Sequence, residues 1–190
     1  MRKLVLQVFD YSLDGIIGEE DTDFFDFCRA VPDDPDQEAW QRSGLERAGL
    51  HIMGRKTYEG MAGYFPTADA AGHPYAEIMN TAPKAVFSST LKSAGWNNAT
   101  IVNGDTVAEI EKLKQEGTGD IMAHGGVSFV QSLVRLDLVD EYVLTVFPYL
   151  AGPGASLFAG LPRRQPLELV SSTAFGNGLV GLVYRRPPRA

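Results

Sequence analysis

The sequence has few of the residues from which metal sites and disulfides are built. It contains one cysteine, Cys28, and three histidines among 190 residues. A single thiol cannot form an intrachain disulfide, and no histidine or cysteine spacing typical of a zinc site occurs. We therefore expect no bound metal and, by default, a cytoplasmic location.

Long apolar runs are missing as well. The first apolar stretch, Leu4–Phe9, is interrupted by Gln7 and ended by Asp10, so it is too short for the core of a signal peptide. No segment approaches the roughly 20 apolar residues of a membrane span, and we expect no membrane partner. The length suits one compact domain over residues 1–190.

Positive charge is scarce in the first part of the chain. The net charge is −7, and nine carboxylates but only one cation, Arg29, lie between Glu19 and Glu38. This balance disfavours a nucleic-acid partner. The acidic run fits either a solvated loop or a segment that directs one carboxylate into a site.

Short apolar runs alternate with stretches of helical spacing. Strands are predicted at 4–9, 50–53, 84–88, 100–102, 120–123, 140–147, 167–173 and 179–184, and helices at 36–48, 56–61, 75–80, 106–115 and 127–136. Asp36 is the predicted N-cap of the first helix, and Glu19–Pro35 is predicted to be irregular. The result is an α/β fold with a mainly parallel mixed sheet, helices on both faces and antiparallel C-terminal strands.

Three predicted strands end in loops suited to phosphate binding. The loops are Gly54-Arg55-Lys56-Thr57, Ser88-Ser89-Thr90 and His124-Gly125-Gly126. A glycine before a helix leaves unpaired N–H groups that attract phosphate, and Arg55 and Lys56 add two cations. The glycine pair is equally compatible with packing, and the serines with an ordinary turn. Together the loops predict a seat for a phosphorylated cofactor that carries an extra phosphate.

This ordered set resembles the dihydrofolate reductase superfamily. It is most similar to the reductase (C-terminal) domain of the bifunctional riboflavin-biosynthesis deaminase/reductase. Besides the three loops, the resemblance is carried by Ser12-Leu13-Asp14-Gly15 and by Val139-Asp140-Glu141-Tyr142 followed by Gly152-Pro153-Gly154. It spans nearly the whole chain and implies a dihydrofolate reductase-like three-layer fold.

The resemblance also implies an NADPH-dependent reductase, with Ile16, Ile17 and Gly18 near the nicotinamide. The cofactor-binding residues it implies are Ile17, Gly54, Arg55, Lys56, Thr57, Ser88, Ser89, Thr90, Gly125 and Gly126. Arginine suits the 2′-phosphate because its planar fork donates two parallel hydrogen bonds.

Two carboxylates are candidate catalytic residues. The spacing of the family from the Gly-Arg motif leads to Glu38, with Asp36 as its neighbour; Glu38 is equally explained as a residue favoured by the helix dipole. Asp14 either touches the substrate or shapes its turn.

The sequence departs from the resemblance in two places. No arginine occurs between Arg55 and Arg135, which argues against folate, whose tail such reductases bind with arginine. The deaminase motifs are absent, so only the reduction step is possible. A substrate phosphate would have to be met by Lys84 or Arg29.

We therefore expect an NADPH-dependent reductase of a planar heterocycle of riboflavin-precursor type acting on a C=N or C=O group. The alternatives are a pterin or dihydrofolate-type reductase, a reductase of an unrelated carbonyl or imine metabolite, and a non-catalytic NADPH-binding regulatory module. The resemblance also implies a homodimer, to which the apolar run Tyr142–Leu150 either contributes or is simply a core strand.

Overall fold

The structure, a computed structural model, describes residues 1–187; the last three residues of the predicted domain lie outside the described part. Its strands are β1 (Leu4–Ser12), β2 (Ala48–Gly54), β3 (Lys84–Phe87), β4 (Ala99–Val102), β5 (Asp120–Ala123), β6 (Glu141–Phe147), β7 (Glu168–Ala174) and β8 (Val180–Arg185). Its helices are α1 (Asp23–Ala30), α2 (Pro35–Arg47), α3 (Arg55–Tyr64), α4 (Ala76–Thr81), α5 (Thr106–Gln115) and α6 (Val127–Arg135), with a 3-10 turn at Ala68–Ala70.

The strands form one sheet in the order β4-β3-β2-β5-β1-β6-β8-β7. All neighbouring pairs are parallel except those of β8, which is antiparallel to both β6 and β7. The β7–β8 connection is the hairpin predicted from Gly176-Asn177-Gly178. The predicted α/β class with antiparallel C-terminal strands is confirmed.

Helices cover both faces of the sheet. Side chains of α5 and α6, such as Ile110 and Leu133, pack with Leu4 and Leu6 of β1 in the largest hydrophobic cluster. On the opposite face α2 contributes Leu45, while α3 and α4 pack in a second cluster over β2 and β3. The central strands are buried on both sides, which explains their continuous apolar sequences.

A β-bulge in β1 changes which side chains face which layer. Val8 pairs with Leu144 and Tyr11 with Val146, so three steps along β1 match two along β6. Before the bulge, Val8 and every second residue towards the N-terminus point to the α5/α6 layer; Tyr11 points there as well. One additional residue therefore lies between them, a known device for redirecting side chains beside active sites.

The prediction that Glu19–Pro35 is irregular is wrong for residues 23–30, which form α1. Thr22 caps this helix by accepting a hydrogen bond from the backbone N–H of Phe25, and Phe24 is buried against Phe147. In the sequence, the many carboxylates around the apolar residues of α1 make its short apolar face hard to recognise.

The predicted N-cap of α2 is also wrong by two residues. Asp34, not Asp36, accepts hydrogen bonds from the N–H groups of Asp36 and Gln37, at 2.9 and 3.0 Å. Pro35 then occupies the first turn, where its missing N–H costs nothing.

Within residues 1–187 no helix is both long and apolar enough to cross a bilayer.

Candidate functional site

The three glycine- and serine-containing loops follow three adjacent strands and lie at the carboxyl ends of these strands. They are residues 54–57 after β2, 88–90 after β3 and 124–126 after β5. Gly54 is the Cα partner of Phe87 across β2 and β3, and Ile52 is the partner of Ala123 across β2 and β5. The structure therefore brings these loops together in one row.

The order in which the chain adds strands to the sheet also reverses next to these strands. From β1 the chain passes β5 to reach β2, whereas from β5 it passes β1 in the opposite direction to reach β6. Open α/β sheets bind ligands at the carboxyl ends of the strands beside such a reversal. The cleft between the ends of β1 and β5 is therefore the expected ligand position.

Two helices begin at the carboxyl ends of these strands without side-chain caps. The helices α1, α2 and α5 are capped by Thr22, Asp34 and Asp105. In contrast, the N-cap residues of α3 and α6 are Gly54 and Gly126, and neither helix has a side-chain cap hydrogen bond. The first N–H groups of these two helices are thus left for an anionic ligand, towards which both helix dipoles point.

The glycine pair has two different local geometries. A Cβ added at Gly125 would meet no atom within 4 Å, so this residue borders open space. Gly126 has φ +79° and its missing Cβ would press on Thr57 Oγ1, so the start of α6 touches the start of α3. Glycine is needed at 126 for conformation, and at 125 it leaves a cradle that a side chain would fill.

Two exposed cations at the start of α3 lie at the same carboxyl ends of the strands. Arg55 Nη1 pairs with Glu59 Oε1 one helical turn later at 3.1 Å, and both side chains are about half exposed. Lys56 is exposed next to it. Because an exposed ion pair of this kind is weak, the Arg55 guanidinium is available to a phosphate.

The loop after β3 is an ordered turn. Ser88 Oγ accepts hydrogen bonds from the N–H groups of Thr90 and Leu91, at 3.2 and 3.0 Å. The hydroxyl of Ser88 therefore holds the turn, whereas Ser89 and Thr90 are exposed at the end of the row. Because Phe87 is the Cα partner of Gly54, the turn begins opposite the start of α3.

The loop after β1 is fastened to the segment around residues 149–157. Asp14 Oδ1 accepts hydrogen bonds from Ser12 Oγ and the Ala151 N–H, and Oδ2 accepts one from the Gly152 N–H, at 2.6, 3.0 and 2.8 Å. These bonds lower the pKa of Asp14 to about 2, the Ser12 hydroxyl contributing most. Asp14 is thus ionised at neutral pH and is engaged in shaping two loops.

Ile17 and Gly18 follow in the same loop. Ile17 is buried, forms a bridge with Tyr11 and donates its N–H to Ala155 O at 3.0 Å. Gly18 donates its N–H to Asp10 O at 2.9 Å. The loop therefore lies against the end of β1, next to the cleft.

A cavity of about 200 Å³ lies on the α2 side of the cleft. Its walls are Phe9, Leu45, Met61, Phe65, His73, Tyr75, Met79 and His124. His73 makes edge contacts with the rings of Phe65 and Tyr75, each with centroids 5.3 Å apart. The cavity is apolar and aromatic, which suits a planar ring. The nearby aromatic residues Trp40 and Tyr64 are not among its walls: Trp40 packs on Phe175, and Tyr64 is exposed.

Glu38, the predicted acid, stands on α2 at the rim of this cavity. Its Oε1 accepts a hydrogen bond from Arg42 Nη2 at 2.9 Å, and its side chain is 44% exposed. The guanidinium of Arg42 lies 5.8 Å from the centroid of the Tyr75 ring. Glu38 and Arg42 form an ion pair at the rim, and Glu38 is not a buried acid.

Two buried histidines lie next to the glycine pair, and one of them, His124, lines the aromatic cavity. His51 Nδ1 and His124 Nε2 are 2.6 Å apart, so the two rings share one proton. Burial lowers the pKa of His51 to about 4 and that of His124 well below its usual range. Both rings are neutral at pH 7, and His124 presents an uncharged polar surface to the cavity.

The structure adds Asp10, a residue that the sequence interpretation used only as the end of an apolar run. Asp10 lines a second cavity, of about 150 Å³, together with Cys28, Gln37 and Gln41. Its chain neighbour Phe9 lines both cavities, so Asp10 follows directly on a residue that forms part of the wall of the aromatic one. No sequence signal indicates this orientation, because it depends on the bulge in β1.

Two other chemically notable residues, Lys84 and Cys28, have surroundings that explain them without a catalytic role. Lys84 Nζ donates to the carbonyl oxygens of Ala82 and Asn97, at 2.7 and 3.0 Å, so it does not face the cavity. Burial raises the pKa of the Cys28 thiol to about 12. Among residues 1–187 no three His, Cys, Asp or Glu side chains are grouped as a metal site.

The fold and the strand-end loops define a dihydrofolate reductase-like α/β protein. Residues 2–181 match the RibD C-terminal domain family, and the chain belongs to that family. It is 29% identical over 188 residues to the uncharacterized protein YyaP of Bacillus subtilis, covering 96% of this chain and 94% of YyaP.

Solved structures agree with this assignment. A candidate riboflavin biosynthesis protein from Shewanella sp. PV-4 superimposes with a TM-score of 0.77 at 26% identity, covering 99% of this chain and 100% of the other. Dihydrofolate reductase from Enterococcus faecalis, complexed with NADP(H) and RAB-propyl, gives a TM-score of 0.62 at 16% identity, with 98% and 97% covered. The second likeness concerns the fold alone.

The residues at the strand ends fit the dinucleotide that this fold implies. The open cradle at Gly125, the two uncapped helix N-termini and the exposed cations of α3 supply donors and positive charge in one row. Arg55, Lys56 and Thr57 would hold the 2′-phosphate and pyrophosphate, and Gly125 and Gly126 the other side of the pyrophosphate.

Proposed function

We propose that this protein is an NADPH-dependent reductase of a planar heterocyclic substrate, of riboflavin-precursor type. The observation that carries the proposal is the row formed by Gly54, Ser88 and Gly125 at the carboxyl ends of three adjacent parallel strands. The sheet holds their loops side by side, beside an aromatic cavity of the size of a small ring system. Family membership supports the same conclusion.

The preference for NADPH over NADH rests on the start of α3. Arg55 and Lys56 are exposed at the middle loop of the row, and the carboxylate paired with Arg55 is that of Glu59. A guanidinium binds a phosphate dianion through two parallel hydrogen bonds, and the ribose hydroxyl of NADH offers no such charge.

The bound dinucleotide supplies hydride, and the residues of the chain supply position, exclusion of water and a proton. The loop at Ile17 and Gly18 lies against the end of β1 at the cleft, while Phe9 and His124 line the aromatic cavity. Because His124 is neutral, it adds no charge that would oppose or trap a developing ion.

A proton must also reach the substrate, and the carboxyl groups at the cleft are candidate donors. Glu38 and Asp14, the two candidates from the sequence, are both engaged with other groups: Glu38 with Arg42, and Asp14 with backbone N–H groups. Their catalytic roles stay predictions, and their surroundings favour roles at the rim and in the loop.

A pterin-type substrate is a second candidate for the same site. The walls of the aromatic cavity include no lysine or arginine, and the nearest rim cation, Arg42, is balanced by Glu38. An uncharged ring system is therefore accommodated at least as well as a phosphorylated ribosylamino-pyrimidine. Arg29 of α1 is the remaining exposed cation near the second cavity.

The proposal is tested by two measurements on the whole protein. Binding of NADPH and NADH is measured by calorimetry, and we expect NADPH to bind at least tenfold more tightly. NADPH consumption is then followed with 5-amino-6-(5-phosphoribosylamino)uracil and with dihydrofolate as separate substrates.

Equal, millimolar binding of both nucleotides would contradict the cofactor assignment. Tight NADPH binding without consumption of either compound favours the regulatory module over a riboflavin- or pterin-type reductase.

A further inference from the structure

The carboxylates around the cleft differ in what their oxygen atoms contact. The oxygens of Asp14 accept three hydrogen bonds, and an oxygen of Glu38 accepts one from Arg42. The carboxylate of Asp10 accepts no hydrogen bond from any residue in the range 1–187, although its side chain lines a cavity. Asp10 is thus the one carboxylate of the three with its proton-carrying atoms uncommitted.

The bulge in β1 gives Asp10 its direction. Leu4, Leu6 and Val8 face the α5/α6 layer, so in regular alternation Asp10 would follow them into that apolar core. The additional residue before Tyr11 instead puts Phe9 and Asp10 together on the α2 side, where both line the same cavity. An apolar core would not tolerate this carboxyl, whereas the cleft can use it.

Asp10 also touches the loop that the fold places over the nicotinamide. A Cβ at Gly18 would come within 2.7 Å of Asp10 Cβ, so only glycine permits this approach. The Gly18 N–H donates to Asp10 O. Asp10 is therefore held against the closing loop and lines the second cavity, and Phe9 is the wall residue that the two cavities share.

The groups around Asp10 favour a protonated carboxyl. Loss of hydration raises its pKa above the ordinary 3.8, and Arg29 of α1 opposes this in part. From α1 the Cys28 thiol faces it, and from α2 the neutral Gln37 and Gln41 do so. Asp33, which is exposed, lines the same cavity and marks its opening to solvent.

We propose that Asp10 is the general acid of this reductase, an inference that rests on the proposed function. As hydride adds to the carbon of the substrate C=N or C=O group, the Asp10 carboxyl gives its proton to the adjacent nitrogen or oxygen. The π bond breaks, one C–H bond and one N–H or O–H bond form, and two electrons leave the dihydronicotinamide with the hydride. Asp10 is left as a carboxylate and regains a proton from solvent through its cavity.

The test compares Asp10→Asn with Glu38→Gln and with the matched control Asp26→Asn, which removes an exposed carboxylate of α1 that lines neither cavity. We expect Asp10→Asn to lower kcat at least 100-fold with either test substrate while the Kd for NADPH changes less than about threefold. The residual rate should increase steadily as the pH falls, because solvent must now protonate the substrate. Asp26→Asn should leave kcat and its pH profile unchanged, and Asp10→Glu should recover part of the rate.

A second readout does not require turnover. In protein labelled with ¹³C at aspartate carboxyl groups and saturated with NADP⁺, the Asp10 signal, assigned by its loss in Asp10→Asn, should titrate above 3.8. Titration at or below that value overturns the proposal, as does a larger loss of kcat in Glu38→Gln than in Asp10→Asn. If the wild type turns over and Asp10→Asn is unaffected, only the role of Asp10 is excluded. If the wild type binds NADPH but consumes neither compound, the riboflavin- or pterin-type reductase function is excluded together with that role.

Discussion

Single side chains decide which nucleotide this site can hold. Arg55 is the first residue of α3 and forms only an exposed pair with Glu59. A pair of this kind contributes a few tenths of a kcal/mol, whereas a guanidinium–phosphate contact contributes about 1.5 to 3 kcal/mol. The phosphate contact therefore dominates when the ligand is present.

Replacing Arg55 with alanine is expected to weaken NADPH binding by roughly 10- to 100-fold and NADH binding by less than about threefold. Isothermal titration calorimetry with both nucleotides measures the two constants. Glu59→Gln is the matched control, since it removes the partner of Arg55 and should leave NADPH binding equal or slightly tighter. An identical loss for both nucleotides in Arg55→Ala would contradict the assignment of the 2′-phosphate.

The histidine pair makes stability depend on pH. His51 and His124 have lowered pKa values in the folded protein because burial disfavours the charged rings, and the unfolded chain binds these protons near pH 6.5. The unfolded state therefore holds more protons between about pH 6.5 and 4, and stability is fully present above this window and decreases as the pH falls through it.

We expect the free energy of unfolding to decrease by roughly 2 to 3 kcal/mol between pH 7 and pH 4.5 from His51 alone. Urea denaturation at the two pH values measures the decrease. A double variant, His51→Leu/His124→Leu, lacks both titrating rings and should lose clearly less stability over the same interval. Equal losses in the two proteins would mean that other groups govern the pH dependence.

At the scale of elements, the site consists of strand ends and helix starts. The sequence predicts this part well because the glycines of 54, 125 and 126 interrupt clear apolar runs and helical spacing. It fails at α1, where the apolar residues Phe24, Phe27 and Cys28 occur at helical spacing among four acidic neighbours. It also cannot indicate the bulge of β1, since the alternation is set by pairing with β6, more than 130 residues away in the chain.

The two glycines before α6 should respond differently to substitution by alanine. Gly125→Ala adds a Cβ to open space, so stability should change by less than about 0.5 kcal/mol while NADPH binding weakens at least tenfold. Gly126→Ala introduces a side chain at φ +79° against Thr57 and should destabilise the fold by about 1 kcal/mol or more. Thermal unfolding and calorimetry on the same samples separate the two effects. Unchanged NADPH affinity in a folded Gly125→Ala protein would remove this loop from the cofactor site.

At the scale of the molecule, the order of the strands brings distant loops together. The sequence indicates the strands but not that β5 lies between β1 and β2, because this neighbourhood depends on contacts across more than 60 residues of chain. The apolar run Tyr142–Leu150, considered above as a contribution to dimerisation, forms the buried strand β6 through residue 147. The buried part of this run, up to residue 147, is therefore a core strand.

A homodimer therefore stays a proposal, and the structure offers another surface for it. The edge strand β7 is exposed along all seven residues, with Leu169 56% and Val170 49% accessible. Exposed apolar edge strands readily pair with a second chain. Light scattering should give twice the chain mass for the wild type and the single mass for Leu169→Lys/Val170→Lys. The control Val107→Lys changes an exposed apolar residue of α5 and should keep the mass of the wild type.

The bulge in β1 makes the number of residues in this strand a determinant of function. Deleting one residue between Val8 and Tyr11 would restore even alternation and leave a single position between them on the α2 side, where Phe9 and Asp10 now lie together. Relatives without the additional residue have room there for either an aromatic ring or an acid. A comparison of strand lengths can thus separate members of this family that place both groups at the cleft from β1 from those that must supply one of them from elsewhere.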